Sequence, residues 1–265
     1  MKDKVVIVTG ASSGIGKALA EVFSQAGARL VLAARSKDKL DAIANTLPGE
    51  SLAVRCDVQK EEDCKQLIEE SLSRFGQIDI LINNAGISMR ALFIDLELDV
   101  MKRVMDINYW GSVYCTKYAL PHLLKQRGSL IGISSIAGYR GLPGRSGYSA
   151  SKFALQGFIE TVRTEHLKDG LHAMIVCPGF TASNIRNTAL TRDGSMQGKT
   201  PLKEEKLMPA EEVARKVLRA TRKRKRTLIL TLQGKLTVFL NKWLPGWMDK
   251  QVYNHFKKEA DSPLK

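Results

Sequence analysis

The sequence predicts a doubly wound α/β fold, in which one parallel sheet is covered by helices on both faces. Apolar runs of four to six residues alternate with amphipathic stretches along most of the chain, which is typical of buried parallel strands joined by helices. The chain has 265 residues, a length that such a sheet often reaches as one unit. With 44% hydrophobic and 26% charged residues, wholesale disorder is excluded. We therefore expect one domain over residues 1–265.

Each predicted strand is a short apolar run. The seven strands are Val5–Val8, Arg29–Ala34, Ser51–Cys56, Ile78–Ile82, Ser129–Ile133, His172–Val176 and Thr227–Leu230. Helical periodicity predicts helices at Gly16–Gln25, Asp38–Thr46, Glu61–Phe75, Leu96–Gln126 (broken near Trp110-Gly111) and Tyr148–Lys168. Ligands of doubly wound sheets bind beyond the carboxyl ends of the strands, so the loops after the strands should carry the chemistry. The long irregular segment 181–206 is predicted to be a substrate lid.

The sequence lacks the cysteine spacing and the long apolar runs that are typical of several protein classes. The four cysteines, Cys56, Cys64, Cys115 and Cys177, include no Cys-x-x-Cys pair, which argues against a structural metal site and against a disulfide scaffold. The apolar run before Thr9-Gly10 is too short for a signal peptide. No apolar run reaches the roughly 18 residues of a membrane-spanning helix. We expect a cytoplasmic protein without a metal.

Positive charge is concentrated in the last quarter of the chain. The net charge is +14, and residues 201–265 hold nine of the fourteen surplus charges. The densest part is Arg222–Arg226. Such a run can meet nucleic acid or anionic lipid, or it can be a solvated surface. No nucleic-acid-binding motif accompanies it, so we expect no nucleic acid partner.

A glycine-rich turn, Thr9-Gly10-Ala11-Ser12-Ser13-Gly14-Ile15-Gly16, follows the first strand. Glycines let the backbone turn sharply and approach a pyrophosphate, which the free N–H groups of the next helix then bind. A packing turn is the alternative, but the position between the first strand and the first helix favours a dinucleotide site. The predicted cofactor contacts in this turn are Gly10, Ser12, Ser13, Gly14, Ile15 and Gly16.

The residues at the end of the second strand indicate which dinucleotide is bound. An NAD site would place an acid there to hold the ribose hydroxyls, but this chain has Ala34, followed by Arg35 and Ser36. A guanidinium binds a phosphate, whereas an acid would repel it. NADP is therefore the predicted cofactor, and the alternative is that Arg35 is only an exposed residue at a helix start.

Tyr148 and Lys152 stand four residues apart, on one face of a predicted helix. A second pair with this spacing, Tyr253 and Lys257, shows that the spacing alone is weak evidence. Context distinguishes the two pairs, because Tyr148 opens the helix after the fifth strand and Ser134-Ser135 lie at the end of that strand. A hydroxyl, a phenol and an ammonium would then share one edge of the sheet.

With these motifs the chain resembles the short-chain dehydrogenase/reductase family, whose fold is a Rossmann-type sheet. The matching features are the Thr-Gly-x3-Gly-x-Gly turn, Asp57, Asn83-Asn84-Ala85-Gly86, Asn108, Ser135, Tyr148 with Lys152, and Pro178-Gly179, in family order over about residues 5–180. The resemblance implies an NADP(H)-dependent oxidoreductase acting on carbonyl or alcohol groups, and a homodimer or homotetramer.

The resemblance also implies a role for each matching residue. Tyr148 would be the general acid/base, and the Lys152 ammonium and the oxidised nicotinamide would lower its phenol pKa. Ser135 would orient the substrate oxygen, and Asn108 would hold a water that links Lys152 to solvent. Tyr148 and Lys152 would also contact the cofactor. The other implied cofactor contacts are Asp57, Val58, Asn84, Ala85, Gly86, Pro178, Gly179 and Thr181.

The extension over residues 222–265 is less typical of the family. Leu236, Phe239, Leu240, Trp243 and Trp247 recur at helical spacing, interrupted by Pro245 and flanked by lysines. Together with the run 222–226, this stripe could form a peripheral membrane contact. The alternative is that the stripe packs on the sheet, over the substrate site or against another subunit.

The substrate class is predicted only in outline. The loops after strands four to six bring Met89, Tyr139, Leu142 and Phe180, so we expect an apolar small molecule and no charged anchor. A non-catalytic NADP-binding regulatory or scaffolding protein on the same fold is the alternative function. The complete set of Asn108, Ser135, Tyr148 and Lys152 argues against it, because sensing needs no proton relay.

Overall fold

The computed structural model describes residues 1–181, 184–198, 200, 207–259 and 262–264. The strands are β1 (Val5–Thr9), β2 (Arg29–Ala34), β3 (Ser51–Arg55), β4 (Ile80–Asn83), β5 (Ser129–Ile133), β6 (His172–Cys177) and β7 (Thr227–Ile229). They form one sheet in the order β3-β2-β1-β4-β5-β6-β7, and all neighbours are parallel. The predicted doubly wound sheet of seven strands is confirmed.

Helices connect the strands and cover both faces of the sheet. They are α1 (Gly14–Gln25), α2 (Lys37–Ala44), α3 (Glu61–Phe75), α4 (Leu98–Met105), α5 (Gly111–Lys125), α6 (Ser146–Glu165), α7 (Ala210–Arg222), α8 (Leu232–Trp243) and α9 (Pro245–Lys257). A π-helical turn, Asp106–Trp110, joins α4 to α5 and accounts for the predicted break near Trp110-Gly111. Sequence analysis missed α7, which packs on α1.

The limits of the helices follow from their terminal residues. Helix α3 has three acidic residues in its first turn, where their negative charges interact favourably with the positive end of the helix dipole. It ends at Gly76, whose φ of 72° is the left-handed conformation that glycine adopts without strain. Pro245 begins α9, where its missing N–H costs no helical hydrogen bond. The predicted interruption at Pro245 is thus a helix start.

The apolar core has two layers because alternate residues of each strand point to opposite faces. Val5 and Ile7 of β1 belong to the layer packed against α3, α5 and α6. Val6 and Val8 belong to the layer packed against α1, α2 and α7. Between β1 and β4 the strand order reverses direction, and a crevice opens at that point beyond the carboxyl ends of the strands.

Helices α8 and α9 form a hairpin after the last strand, called here the C-terminal hairpin. Met248, Val252 and Phe256 are buried in it. Most of the predicted stripe is not packed on the sheet, since Phe239 and Trp243 are 61% and 64% exposed and Leu236 and Trp247 are about half exposed. In the part of the chain that the structure describes, no helix is both long and apolar enough to cross a bilayer.

The basic run Arg222–Arg226 lies at the opposite edge of the sheet from the C-terminal hairpin. The Arg224 guanidinium donates to the carbonyls of Gly170 and Arg127, which lie just before β6 and β5. In contrast, Gly234 of α8 packs on Ile136, beyond the carboxyl end of β5. The expectation that this run and the aromatic stripe form one membrane surface is therefore wrong, because parallel strands separate their starting loops from their ending loops.

Candidate active site

A cleft of about 1210 Å³ opens at the carboxyl ends of the strands. With the exception of Asn108, it is lined by every residue that the sequence assigned to catalysis or cofactor binding. These are Gly10, Ser12, Ser13, Gly14, Ile15, Gly16, Arg35, Ser36, Asp57, Val58, Asn84, Ala85, Gly86, Ser135, Tyr148, Lys152, Pro178, Gly179 and Thr181. The topology thus gathers loops from six strands into one site.

The glycine-rich turn has no space for side chains at two of its positions. Gly10 has a φ of +66°, and a Cβ atom there would lie 2.9 Å from the Cα of Ala85. A Cβ atom on Gly16 would lie 2.2 Å from the Gly10 carbonyl oxygen and 2.6 Å from the Asn84 amide nitrogen. The start of α1 therefore approaches the turn as closely as two backbones can, which leaves its N–H groups facing the cleft.

The loop after β4 braces this turn. The Asn84 side-chain amide donates to the carbonyls of Thr9 (2.9 Å) and Gly10 (3.3 Å). In return, the Thr9 hydroxyl accepts from the backbone N–H groups of Asn84 and Ala85, both at 3.0 Å. These bonds fix the position of the turn relative to β4, a structural role beside any contact with a cofactor.

Basic residues border the far end of the cleft, beyond β2. Arg35 and Ser36 are exposed between β2 and α2, and Lys39, which sequence analysis did not single out, lines the cleft beside them. Asp57 is held in place by Gln59, whose backbone N–H lies 3.2 Å from its carboxylate. Ala34 occupies the position where an NAD site would place an acid, and the cationic side chains of Arg35 and Lys39 lie beside it.

Tyr148, Ser135 and Lys152 meet in the middle of the cleft. The side chains of Ser135 and Tyr148 both line the cleft, and the Lys152 ammonium nitrogen lies 5.7 Å from the centre of the Tyr148 ring. The ammonium also donates to the Ile133 carbonyl at 2.9 Å. The strand β5 and the helix α6 thus place a hydroxyl, a phenol and an ammonium together, as predicted.

Burial governs the acidity of the two titrating groups. It raises the pKa of the Tyr148 phenol, while the nearby Ser135 hydroxyl and the positive charges of Arg145 and Arg186 act in the opposite direction. Burial also lowers the pKa of the Lys152 ammonium to about 8. Neither arginine was found from the sequence, because nothing in the local pattern places them beside the phenol.

Asn108 lies behind the cleft rather than in its wall. It is fully buried in the π-helical turn, and its side-chain oxygen Oδ1 accepts a hydrogen bond from the backbone N–H of Ile87 at 2.8 Å. Its amide donates to the Ile87 carbonyl and to the Ser151 hydroxyl, both at 2.9 Å. A Cβ atom on Gly86 would lie within 3.4 Å of both Asn108 and Lys152. Asn108 therefore joins the loop after β4 to the helix that carries Tyr148.

The second pair with the same spacing lies elsewhere. Tyr253 is 45% exposed on α9, the Lys257 nitrogen lies 6.0 Å from the centre of its ring, and neither residue lines the cleft. Equal spacing therefore gives similar local geometry in both helices. Only the pair in α6 faces the other candidate residues.

The substrate end of the cleft was only partly predicted. Leu142 and Phe180 line it as expected. Met89 is fully buried in a separate apolar cluster, and Tyr139 packs against the core layer of α3, α5 and α6. The prediction that these two residues line the substrate end is therefore wrong. The remaining wall comes largely from the C-terminal hairpin, through Leu236, Leu240, Trp247, Met248, Val252 and Phe256. Leu236, Leu240 and Trp247 belong to the predicted stripe, whereas Met248, Val252 and Phe256 were not singled out from the sequence, and nothing in it showed which side of the helices faces the cleft.

Comparison with known proteins assigns the family. A family model described as short chain dehydrogenase matches residues 4–193. The chain belongs to the short-chain dehydrogenase/reductase family. It is an oxidoreductase with a fold that binds a nicotinamide dinucleotide.

The sequences of two related proteins align with most of this chain. It is 36% identical over 271 residues to Dehydrogenase/reductase SDR family member 7B of Mus musculus, covering 99% of this chain and 84% of that protein. It is 43% identical over 187 residues to 11-beta-hydroxysteroid dehydrogenase-like 2 of Arabidopsis thaliana, covering 69% and 60%. The agreement with the mouse protein therefore extends through the C-terminal hairpin.

Solved structures of other family members share the fold. An alcohol dehydrogenase from Thermococcus sibiricus, complexed with 5-hydroxy-NADP, aligns with a TM-score of 0.76 and 26% identity over 86% of this chain and 96% of its own. A short chain dehydrogenase/reductase from Burkholderia phymatum, in complex with NAD, aligns with a TM-score of 0.83 and 23% identity over 94% and 95%. The two complexes hold different dinucleotides, so the likeness leaves the choice of cofactor to this chain's own residues.

Proposed function

We propose that this protein transfers a hydride between NADP(H) and an apolar carbonyl or alcohol, with Tyr148 as the general acid/base. The observation that carries the proposal is the meeting of Ser135, Tyr148 and Lys152, inside the cleft that begins at the glycine-rich turn. A phenol and a hydroxyl that line the same part of a cleft can both reach one substrate oxygen placed between them.

The proposed chemistry assigns one task to each of these groups. In reduction, the carbonyl carbon accepts a hydride, which NADPH supplies when bound, and the carbonyl oxygen accepts the Tyr148 proton. Ser135 donates a hydrogen bond to the same oxygen and fixes its position. The ammonium of Lys152, with a pKa near 8, stabilises the phenolate that remains after proton transfer. In the alcohol-oxidising direction the same proton returns to Tyr148.

The preference for NADP follows from the charges beyond β2. Arg35 and Lys39 both border the cleft, and cations there favour a 2′-phosphate, whereas Ala34 offers no carboxylate to hold a free ribose hydroxyl. Asp57 and Val58 would border the adenine, and the backbone of Asn84, Ala85 and Gly86 the ribose.

The remaining predicted contacts belong to the nicotinamide end. Pro178 and Gly179 would close over the ring, and Thr181 would bind its carboxamide. Asn108 is assigned a positioning role through Ile87 and Ser151, and the water that it would hold beside Lys152 stays a prediction. The protein would work in the cytoplasm as a soluble catalyst or at a membrane surface.

The experiment that tests the function is direct. The pure protein is mixed with NADPH and with a panel of ketones and aldehydes of increasing apolar size, and the absorbance of the reduced nicotinamide is followed. We expect turnover of the bulky apolar carbonyls, and slower turnover with NADH. Tight NADPH binding without turnover of any carbonyl, or of any alcohol with NADP, would instead support the non-catalytic regulatory alternative.

A homodimer or homotetramer is proposed for the assembly. Trp110 and Phe153, on adjacent helices, are 44% and 46% exposed, and Trp110 stacks on Tyr114 with ring centres 5.7 Å apart. Exposed aromatic clusters of this kind mark protein interfaces. Sedimentation equilibrium of the intact protein gives the subunit number, and a monomer would contradict this assignment.

A peripheral contact with anionic lipid is proposed for the exposed side of the C-terminal hairpin. Phe239, Trp243 and Trp247 stand out from it, and the exposed Lys235, Lys242 and Lys250 flank them. Aromatic side chains with nearby lysines suit the boundary between lipid headgroups and acyl chains. This surface adjoins the apolar wall of the cleft, so an apolar substrate could enter from the lipid.

A further inference from the structure

A buried cluster of three charged side chains joins the C-terminal hairpin to the active site. The Glu259 carboxylate, just after α9, accepts from Arg90 at 3.1 Å and from Arg145 at 3.4 Å. The exposed fractions of the three side chains are 5%, 9% and 12%. Arg90 lies in the loop after β4, and Arg145 immediately precedes α6. One carboxylate thus bridges three segments that are distant in sequence.

Arg145 connects this cluster to the reacting groups. It lines the cleft beside Tyr148, and its positive charge acts on the phenol. Its guanidinium carbon lies 4.7 Å from the centre of the Phe256 ring, so the arginine is held between α9 and the start of the helix that carries Tyr148. Burial disfavours its charged form, and the Glu259 carboxylate counters that effect on its pKa.

We propose that Glu259 is a positioning residue, which latches α9 in place as the wall of the substrate cleft by binding Arg90 and Arg145 together. The carboxylate touches neither cofactor nor substrate and acts through Arg145 and Phe256. Without its charge, the buried Arg145 guanidinium would lose the carboxylate that offsets its burial, and a buried charge that loses its partner strongly destabilises the contact that holds it. The end of α9 would then detach, and the apolar wall with it.

The effect on the reaction rests on the proposed function and has a specific form. Ser135 follows β5, which is held between β4 and β6 in the sheet, and Tyr148 and Lys152 lie within α6, so the sheet and this helix position the three groups. A detached wall would therefore weaken substrate binding while the chemical step and cofactor binding are retained. This separates a positioning role from a general structural one.

The chain offers a matched control on the same helix. Asp249 of α9 pairs with Arg140, which lies in the same connection between β5 and α6 as Arg145. In contrast to Glu259, the Asp249 side chain is 66% exposed, and ion pairs in water contribute little. Asp249→Asn therefore removes a solvent-exposed carboxylate from α9, and Arg140, which is 16% exposed, keeps its hydrogen bond to the Asn241 side chain.

The test measures hydrogen–deuterium exchange and steady-state kinetics of the full-length protein and its variants. In Glu259→Gln we expect amide exchange in residues 245–257 to rise roughly tenfold or more, with β1 and α1 unchanged. For a carbonyl that the wild type turns over, KM should rise roughly tenfold while kcat stays within about threefold. The affinity for NADPH should be unchanged. Asp249→Asn should match the wild type, and Glu259→Asp should restore part of the protection.

Other outcomes would overturn the latch. One is wild-type exchange in α9 together with wild-type KM in Glu259→Gln, and the other is an equal loss of protection in β1, which would mean that the carboxylate supports the whole fold. If Glu259→Gln does not fold, Arg90→Gln retains one balanced pair and should raise α9 exchange roughly threefold; unchanged exchange there would overturn the proposal. The exchange measurement needs no substrate, so it judges the latch even if the proposed reductase activity fails.

Discussion

The two ends of the cleft are built in different ways. At the cofactor end, the start of α1 fits against the glycine-rich turn so closely that a single carbon added at Gly16 would lie 2.2 Å from the Gly10 carbonyl oxygen. At the substrate end, side chains of a helical hairpin form the wall, and about half of the surface of Leu236 and Trp247 is exposed to solvent. The first end is shaped by main chain and the second by side chains.

This difference predicts which end of the cleft tolerates substitutions and which does not. The closely packed backbone at the cofactor end has no space for an added atom unless the backbone moves. At the substrate end, a side chain of the wall can be replaced with only a local change in the shape of the cleft. We therefore expect substitutions at the cofactor end and in the reacting centre to remove function, and substitutions in the hairpin to adjust it.

The largest effect is expected at the centre, between the two ends. Tyr148→Phe removes the transferable proton and should lower kcat by about 10²–10⁴-fold, while the NADPH dissociation constant measured by fluorescence titration stays nearly unchanged. Tyr253→Phe is the control, since its phenol lies outside the cleft, and it should leave kcat unaltered. Near-normal turnover by Tyr148→Phe would contradict the assignment of the general acid.

The next effect tests the main-chain cradle. Gly16→Ala should weaken NADPH binding and lower the free energy of unfolding by about 1–3 kcal/mol, because the new methyl group must displace the Gly10 carbonyl and the Asn84 amide. Gly157→Ala is the matched control, because no atom lies within 4 Å of its added carbon. Calorimetry and titration should show that this control is as stable as the wild type or more so. Equal behaviour of the two variants would refute the main-chain explanation.

The choice of cofactor is a smaller effect at the same end. The wild type should bind NADPH about tenfold or more tightly than NADH, which corresponds to roughly 1.4 kcal/mol per tenfold. Ala34→Asp combined with Arg35→Ser should reverse this order, since a carboxylate repels the phosphate and accepts from ribose hydroxyls. Titration of both proteins with both cofactors measures the change. Equal wild-type affinities would show that Arg35 does not reach the phosphate.

The smallest effect concerns the outer side of the hairpin. The protein should float with vesicles of anionic lipid and not with neutral ones, and high salt should reduce the bound fraction because basic residues add roughly 1 kcal/mol each. Replacing Trp243 and Trp247 with serine should reduce it further. Neutralising Arg222–Arg226 is the control and should change little, as this run lies at the opposite edge of the sheet. If the tryptophan changes instead dissociate an oligomer, the surface is a subunit interface.

The same contrast explains what the sequence could predict. The strands, the order of motifs and most of the residues that line the cleft follow from local patterns, because the loops after parallel strands must converge on one edge. Met89 and Tyr139 were misplaced because an apolar residue in a loop can point into the cleft or away from it. The contact of Glu259 with Arg90 spans 169 positions, and no local pattern encodes such a pairing. Helix α7 was missed because its charged face obscured the apolar one.

The position of the hairpin after β7 has a consequence for how the protein is made. A chain grows from its amino terminus, and domains fold largely in that order. Every strand, together with Ser135, Tyr148 and Lys152, is therefore synthesised before the first residue of α8. The nascent chain can therefore form its sheet and the glycine-rich turn while the substrate end of the cleft is still open. The C-terminal hairpin, which forms the apolar wall of that end, is added afterwards and is fixed once Glu259 has been synthesised.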